Sequence, residues 1–152
     1  MARRRVPAYV EGGTSYADVR DVARGHVEAL ERGRAGEVYV LGGHNLATSE
    51  MLRRVAEMAG VPPPRRLPYA LGLALAAAGA LAARATGKRA RLTVDLVRSS
   101  ALYTFVTSAK AQRELGYAIR PFEESARDTL RWYVAEGKLE AATPELRAIA
   151  AG

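Results

Sequence analysis

The chain has 152 residues, of which 49% are hydrophobic and 26% charged, a composition typical of one soluble globular domain and not of a disordered protein. It contains no cysteine, which excludes disulfides and thiolate metal sites, and no signal peptide is recognisable, so we expect a cytoplasmic location. The net charge of +7 is spread along the chain, with a single run at Arg3 to Arg5, and we expect no nucleic-acid partner.

The first third of the chain predicts a short extended segment, a helix and a strand. Ser15 to Val19 forms the extended segment, and the helix is capped by Asp21 and ends at Gly33. Because Asp21 is expected to cap the helix, the substitution Asp21→Ala should lower the stability by about 1 kcal/mol. Glu37 to Leu41 is β-branched and aromatic and stops at Gly42-Gly43, which indicates a buried strand.

The middle third is dominated by an apolar helix. Before it, a helix capped by Thr48 or Ser49 ends at Gly60, and Arg65 to Leu67 follows as a short edge strand. The apolar stretch Tyr69 to Ala85 has basic residues near both ends, which is compatible with a membrane span. It consists mainly of alanine, glycine and leucine, whose transfer into lipid is only modestly favourable. A buried helix is therefore favoured, and no membrane partner is expected.

The last third predicts three further helices and one strand before the chain ends in a flexible tail. Residues 1–139 would form the structured domain and 140–152 the tail. The alternation of helices and strands with short loops is typical of an α/β fold. The predicted elements are helix Thr93 to Ser100, strand Tyr103 to Thr107, a helix capped by Ser108 that ends at Gly116, and a helix from Pro121 to Gly137.

No segment has the pattern of a nucleotide site. Such a site needs a glycine-rich turn between a strand and a helix, because only glycine lets backbone N–H groups reach a phosphate. Neither GxGxxG nor GxxGxxG occurs, and Gly42-Gly43 and Gly87-Lys88 lack the further glycines that these loops require. We interpret both pairs as turns and expect the chain alone to bind no NAD(P)H.

Catalytic and metal-binding patterns are also missing from the sequence. The two histidines, His26 within a helix and His44 after the strand, have no recognisable nucleophile or carboxylate partner. They do not form the HxxE or HxxxH spacing of a metal site. The residues therefore predict neither a catalytic nor a metal site.

Several collinear segments, which cover nearly all of residues 5–139, together form one pattern. They are Val6 to Val10, Asp18 to Ala23 with Gly25-His26, Gly33 to Gly43, Arg66 to Pro68, Ala83 to Gly87, Ser108 to Tyr117 and Pro121 to Tyr133. In this order they resemble the second half of the NAD-dependent epimerase/dehydratase family, the extended short-chain dehydrogenases/reductases. The branch they resemble comprises dihydroflavonol-reductase-like proteins and hopanoid-associated sugar epimerases.

The resemblance implies that the chain is catalytically incomplete. In that family the amino-terminal half carries the dinucleotide-binding glycines, and a tyrosine and a lysine spaced YxxxK stand near mid-chain. None of the seven tyrosines here is followed by a lysine four residues later. The family tyrosine acts as an acid/base beside the nicotinamide, so the chain is expected to be inactive alone and to depend on NAD or NADP held elsewhere.

The resemblance also implies a fold, a partner and a site. The fold would be the C-terminal part of a Rossmann-type α/β protein, with Glu37 to Leu41 as the last sheet strand and a mostly helical substrate-binding lobe. Such a strand needs neighbours, so a nucleotide-binding amino-terminal half or self-association is expected. Tyr9, Ser15 and Arg20 match the family's stretch near a small-molecule substrate and are candidates for polar contacts.

Two classes of function remain open from the sequence. The first is the substrate-binding half of an NAD(P)-dependent epimerase, dehydratase or reductase that acts on a sugar-linked or flavonoid-like hydroxyl or ketone. The second is a noncatalytic binding or assembly module, which could attach to a membrane through the Tyr69 to Ala85 helix.

Overall fold

The computed structural model describes residues 8–87, 92–140 and 143–151. The run Arg3 to Arg5, the segment Val6-Pro7 and residues 141–142 and 152 of the predicted tail lie outside these ranges. Within the ranges the chain forms seven helices and two small sheets, which confirms the predicted α/β class with a largely helical lobe. The elements are β1 (Ala8–Tyr9), β2 (Gly13–Tyr16), α1 (Val19–Arg32), β3 (His44–Ala47), α2 (Thr48–Met58), β4 (Arg65–Arg66), α3 (Tyr69–Thr86), α4 (Val94–Ser100), β5 (Tyr103–Thr104), α5 (Ala109–Leu115), α6 (Phe122–Ala135) and α7 (Pro144–Ala151).

β2 is the central strand of the larger sheet, whose order is β3-β2-β5. β3 pairs with it antiparallel, with Tyr16 opposite His44, and β5 pairs with it parallel, with Gly13 opposite Tyr103. β1 pairs in parallel with β4 in a separate two-stranded sheet. The extended segment predicted at Ser15 to Val19 is shifted, because β2 ends at Tyr16, and the strand predicted at Tyr103 to Thr107 is confirmed only for its first two residues. The sheets bring the beginning of the described chain together with segments about 30 to 90 residues downstream.

Six of the buried residues in the described ranges form two small clusters. We call them the α5 cluster, which comprises Ala111, Leu115 and Tyr117, and the α7 cluster, which comprises Ala59, Leu130 and Leu146. Leu115, the last residue of α5, is fully buried. The two clusters have no described residue in common, so each stabilises its own part of the chain.

Residues 37–43 belong to no strand, so the prediction of a buried sheet strand at Glu37 to Leu41 was wrong for this chain. The side chains nevertheless alternate as in a strand. Tyr39 and Leu41 pack against the α5 cluster, whereas Val38 and Val40 are 78% and 43% exposed. The segment thus has the amphipathic pattern of a sheet strand, but no described strand pairs with it.

α1 begins one turn earlier than predicted. Its cap is Asp18, whose carboxylate accepts a hydrogen bond from the N–H of Arg20 at 2.8 Å. Asp21 was therefore wrongly predicted as the cap. It lies within the first turn, is buried, and accepts hydrogen bonds from the backbone N–H and the Nε of Arg120 at 2.9 and 2.8 Å. Asp21 thus does not cap α1 but links its first turn to Arg120, just before α6.

α3 was correctly predicted as a helix but incorrectly as a buried one. Its contact face consists of small residues, and Gly72 and Ala76 are the residues buried on it. An added Cβ at Gly72 would lie 3.1 Å from the side chain of Val10, so the helix approaches β1 closely there. Leu71 and Leu81 on the same helix are 47% and 70% exposed. Small residues allow close helix packing, but the larger apolar side chains then stay in solvent.

The segment predicted as a flexible tail contains α7. Leu146 is only 3% exposed and packs in the α7 cluster against residues of α6 and of the turn after α2. The hydroxyl of Thr143 donates to the carbonyl of Ala59 at 2.6 Å and accepts a hydrogen bond from the N–H of Leu146 at 3.1 Å. The prediction for residues 140–152 was therefore wrong at Pro144–Ala151, where Leu146 and Ile149 pack a short helix against the α7 cluster.

Leu146→Ala should lower the free energy of unfolding by about 2–3 kcal/mol, because it removes a buried leucine and leaves a cavity in a small cluster. Urea denaturation followed by circular dichroism measures this change. Leu81→Ala is a matched control on an exposed leucine and should change stability by less than about 0.5 kcal/mol. Equal effects of the two substitutions would contradict the docking of α7.

Candidate functional site

The structure does not bring the three predicted contact residues together. Tyr9 on β1 lines an open cleft. Ser15 lies outside that cleft, and its hydroxyl accepts a hydrogen bond from the N–H of Gly43 at 3.0 Å. Arg20 also lies outside it, at the start of α1, where its guanidinium contacts two carboxylates at 2.8 Å. Tyr9 alone among the three therefore lies where it could touch a ligand bound in the cleft.

The cleft has a volume of about 970 Å³ and lies between β1, β2, α3 and α4, with the residues before β5 at its base. None of the described residues that line it carries a charge. We call it the apolar cleft, because its walls are mainly aliphatic. The main apolar contributors are Val10, Leu67, Leu75, Leu96, Val97 and Leu102.

Hydroxyl groups supply the polar part of the cleft. Ser99 and Ser100 at the end of α4 both donate to the carbonyl of Leu96, at 3.1 and 2.7 Å. The hydroxyl of Thr104 donates to the hydroxyl of Thr14 at 2.9 Å. The three hydroxyls are thus held by protein oxygens, and Tyr9, Thr14 and Thr48 add further hydroxyls to the described lining.

The start of α2 meets the cleft at Thr48, and its first two backbone N–H groups are already bonded. The N–H of Thr48 donates to the carbonyl of Gly12 at 2.8 Å, and the N–H of Ser49 donates to the carboxylate of Glu11 at 3.1 Å. The predicted side-chain cap at Thr48 or Ser49 is absent, because Glu11 performs that role from another segment. The positive end of the helix dipole is thus compensated by a mostly buried carboxylate.

The turn Gly42-Gly43 is also saturated with internal hydrogen bonds. The N–H of Gly42 donates to the hydroxyl of Ser108 at 2.8 Å, and the Gly42 carbonyl accepts from the hydroxyl of Tyr117 at 3.0 Å. Ser108 therefore precedes α5 as predicted, but its hydroxyl does not cap that helix. Burial raises the pKa of Tyr117, which keeps its phenol a proton donor. With Ser15 holding Gly43, the turn offers no N–H groups to a phosphate.

A network of ion pairs joins the start of α1 to α6. Asp18 accepts from the Arg20 guanidinium at 2.8 Å and from the hydroxyl of Ser125 at 2.6 Å. The hydrogen bond from Arg20 is the main cause that holds the pKa of Asp18 well below its ordinary value. Arg20 also contacts Asp128 on α6 at 2.8 Å. The geometry assigns Arg20 a structural role in this network.

Stability should fall in acid because of Asp18. The unfolded chain takes up the Asp18 proton near the ordinary pKa of about 3.9, whereas the folded chain resists it, so protonation favours unfolding as the pH drops below about 5. Asp18→Asn should cost about 1.5 kcal/mol at pH 7, since it keeps a capping oxygen but loses the charge. Its stability should then decline less between pH 5 and pH 2.

Denaturant midpoints measured across that pH range test this prediction. Ser125→Ala removes one donor to the same carboxylate and should give an intermediate acid dependence. If the stability of wild type and of Asp18→Asn fell by the same amount between pH 5 and pH 2, the prediction would be contradicted.

Neither histidine has the surroundings of a catalytic base. His26 is exposed on α1, and its Nδ1 lies 2.8 Å from the carbonyl of Val22. The Nε2 of His44 lies 2.9 Å from the carbonyl of Arg120, and since a carbonyl can only accept, that nitrogen carries the proton. Among the described residues no group of side chains is arranged to hold a metal ion.

Comparison with known proteins adds relatives that are much longer than this chain. No protein-family model matches. The chain is 31% identical over 140 residues to a Synechocystis sp. protein provisionally named dihydroflavonol 4-reductase, and the match covers 89% of this chain and 41% of that protein. The chain thus spans about two fifths of the length of this relative.

Two solved structures resemble the fold. The crystal structure of gox2253 matches with a TM-score of 0.69 and 39% identity, over 89% of this chain and 41% of that one. A nucleoside-diphosphate-sugar epimerase from Pseudomonas aeruginosa matches with a TM-score of 0.66 and 32% identity, over 88% and 39%. The resemblance predicted from the sequence is confirmed. The chain is similar in sequence to one part of a protein named for the reductase, and in fold to one part of a sugar epimerase.

Proposed function

We propose that the chain is the C-terminal, substrate-binding portion of an NAD(P)-dependent reductase or epimerase, with the apolar cleft as its substrate site. The observation that carries this proposal is the cleft itself. Its volume of about 970 Å³ is that of a small-molecule site, and Tyr9 lies on its wall. A small-molecule hydroxyl or ketone, flavonoid-like or sugar-linked, would bind there.

The cofactor belongs to another portion of the enzyme. A dinucleotide needs free backbone N–H groups for its pyrophosphate, and the N–H groups of Gly42 and Gly43 are already bonded to Ser108 and Ser15. The described residues therefore do not fit NAD or NADP. In this division of work the chain binds and orients the substrate and excludes water, and a nucleotide-binding portion supplies the cofactor and the YxxxK pair.

Calorimetric titration tests directly whether the chain alone binds the cofactor. The purified chain should give no saturable heat with NADH or NADPH at micromolar concentrations. A cofactor dissociation constant in that range would contradict the proposed division of work.

The nucleotide-binding portion would dock on residues 37–43. This segment presents Val38 and Val40 to solvent and holds Tyr39 and Leu41 against the α5 cluster, the alternation of a strand that lacks its neighbour. The Nζ of Lys110 holds the segment in place by donating to Glu37 and to the carbonyl of Val38 at 2.6 and 2.9 Å. Added strands would cover the two valines and pair with the backbone.

Co-expression with an amino-terminal portion that carries GxxGxxG and YxxxK tests the whole proposal. The two portions should co-purify and oxidise NAD(P)H with a ketone substrate, whereas neither should do so alone. Val40→Lys should abolish co-purification, because it places a charge in the strand contact. Leu30→Lys, at an 87% exposed position on α1, is the matched control and should have no effect.

A different outcome would identify an independent module. If the chain is a monodisperse monomer that gains neither stability nor turnover from the added portion, the enzyme proposal fails. If it instead forms a homo-oligomer through residues 37–43, self-association replaces the nucleotide-binding portion as the partner.

A noncatalytic module attached to a membrane is the second candidate, and α3 favours it. Within the described ranges α3 is the helix long and apolar enough to cross a bilayer, with a mean hydropathy of 1.3 and only 11% of its residues buried. Flotation with liposomes distinguishes this function. Co-flotation that is lost in Leu71→Lys/Leu81→Lys would support it, and a chain that stays at the bottom of the gradient would exclude it.

A further inference from the structure

α3 presents one apolar face to solvent along most of its length. A buried α3 was the reason to expect no membrane partner, and its exposure removes that reason. Building on the second candidate function, we infer that this face lies in the plane of an anionic bilayer surface and that α3 does not cross the membrane. We call it the outer face of α3; its residues, all exposed and within an arc of about 120°, are Leu71, Ala74, Leu75, Ala78, Leu81 and Ala82.

The uncompensated charge of the chain is concentrated around this helix. Residues 58–94 contain six basic residues and no acidic one, so they supply six of the seven net positive charges. Elsewhere 17 basic residues are balanced by 16 acidic ones. A segment that is both apolar and basic complements a surface with negative headgroups above an apolar interior. The six basic residues are Arg65, Arg66, Arg84, Lys88, Arg89 and Arg91.

The described arginines of this segment lie at the two ends of the helix. Arg65 and Arg66 form β4, shortly before α3 begins, and Arg84 lies in its last turn. All three are exposed, and among the described residues only Arg66 has a carboxylate nearby, that of Glu11 at 3.8 Å. An 18-residue helix is about 27 Å long. A helix lying flat therefore brings the arginines at both ends to the headgroups of the same leaflet, which their long side chains can reach.

The opposite face of α3 holds the helix against the protein. Gly72 and Ala76 are buried on that face, and an added Cβ at Gly72 would lie 3.1 Å from Val10 and 3.3 Å from Val97. Val97 on α4 is itself only 2% exposed. To cross a bilayer, α3 would have to leave β1 and α4 and would expose these valines. Binding in the plane keeps the contacts and covers only the outer face.

The outer face needs the arginines to bind a bilayer firmly. Its alanines bury little apolar area, so the three leucines supply most of the hydrophobic attraction. Attachment at a membrane surface becomes stable when a second signal, such as a basic patch, is added to an apolar one. A protein partner fits less well, because the centres of protein interfaces are typically rich in aromatic residues, which this face lacks. A second copy would bring two basic segments together, and their repulsion opposes that contact.

Co-sedimentation of the full chain with lipid vesicles tests the inference. The chain should bind phosphatidylcholine vesicles that contain about 30% phosphatidylglycerol, and bind pure phosphatidylcholine about tenfold more weakly or less. About 0.5 M NaCl should release it, since salt screens the arginines. Arg65→Gln/Arg84→Gln should weaken binding about tenfold or more, because each cation near an anionic surface contributes about fivefold. Arg24→Gln/Arg113→Gln removes two exposed arginines of α1 and α5 and, as the matched control, should change binding less than about twofold.

The depth of the helix distinguishes binding in the plane from crossing. Ala78→Trp in a Trp132→Phe background places a single tryptophan at the middle of the outer face. Lipids brominated near the headgroup should quench its fluorescence more strongly than lipids brominated at the end of the acyl chain. The reverse order would place residue 78 at the bilayer centre. That result would overturn the inference and leave a membrane-crossing α3 to the second candidate function.

The remaining outcomes also decide between the proposals. Equal binding to neutral and anionic vesicles, or equal losses in the two double variants, would overturn the inference but keep membrane attachment. A chain that binds no vesicles would overturn both. A dimer in solution that Leu71→Ala/Leu81→Ala dissociates would assign the outer face to a second copy and overturn the inference as well. Turnover by the co-expressed portions decides separately whether the substrate-binding function survives.

Discussion

Replacing Asp21 with alanine should lower the free energy of unfolding by about 3 kcal/mol, three times the effect expected for an exposed helix cap. Asp21 is 5% exposed, and its carboxylate accepts from both the backbone N–H and the guanidinium of Arg120. Without it, the positive charge of Arg120, whose side chain is 17% exposed, loses its main partner in a largely buried position. Losing one member of such a pair costs more than the pair itself contributes.

Urea denaturation at pH 7 measures this effect. Asp95→Ala removes a carboxylate from the first turn of α4, where the residue is exposed, and should cost less than about 0.5 kcal/mol. Asp21→Asn keeps an acceptor and should fall between wild type and Asp21→Ala. A loss of only about 1 kcal/mol in Asp21→Ala would restore the interpretation of Asp21 as a simple cap.

Gly12→Ala should destabilise the chain by about 3 kcal/mol and should also impair ligand binding in the apolar cleft. An added Cβ would lie 2.0 Å from the carbonyl oxygen of Ser100 and 2.9 Å from that of Leu102. Backbone atoms cannot rotate out of the way as a side chain can. The base of the cleft would therefore have to move away from β2, and the Gly13 N–H would lose its hydrogen bond to Leu102.

Gly79→Ala provides the control for this substitution. Its Cβ would meet nothing closer than the Leu92 carbonyl at 3.9 Å, so this variant should be neutral or up to about 1 kcal/mol more stable, since alanine favours a helix. Differential scanning calorimetry of both variants measures stability, and turnover of a ketone with the co-expressed amino-terminal portion measures the effect on the cleft. Equal melting temperatures for Gly12→Ala and wild type would show that Gly12 is not constrained.

The helices could be predicted from the sequence because their signals are local. The 3.6-residue periodicity and the glycine after each helix located α1, α2, α5 and α6 to within a few residues. The cap of α1 was misassigned because Asp18 and Asp21 are both acceptable capping residues. What distinguishes them is Arg120, which lies about a hundred residues away and whose position depends on tertiary structure. Asp21 is therefore a case in which a long-range ion pair decides a local assignment.

The apolar cleft could not be predicted in the same way. Its walls come from β1, β2, α2, α3, α4 and β5, so residues such as Thr14 and Thr104 meet only in the folded chain. Serine, threonine and leucine have no spacing that marks them as a site. Tyr9 was reached through the family resemblance rather than through its own pattern. The exposure of α3 also escaped prediction, because an alanine-rich apolar helix has the same composition whether it is covered or not.

The order of pairing in the larger sheet has a consequence for folding during synthesis. β2 finds its antiparallel neighbour β3 within about 30 residues, but its parallel neighbour β5 lies about 90 residues downstream. A ribosome needs roughly 3–11 s to add the residues between Ala47 and Tyr103 at about 5–20 residues per second. Throughout that interval one edge of β2 is unpaired, and the apolar α3 is synthesised within it. Substitutions that weaken the β2–β5 contact should therefore reduce the yield of folded chain in cells, through chaperone binding and proteolysis, before they measurably change the stability of the chains that do fold.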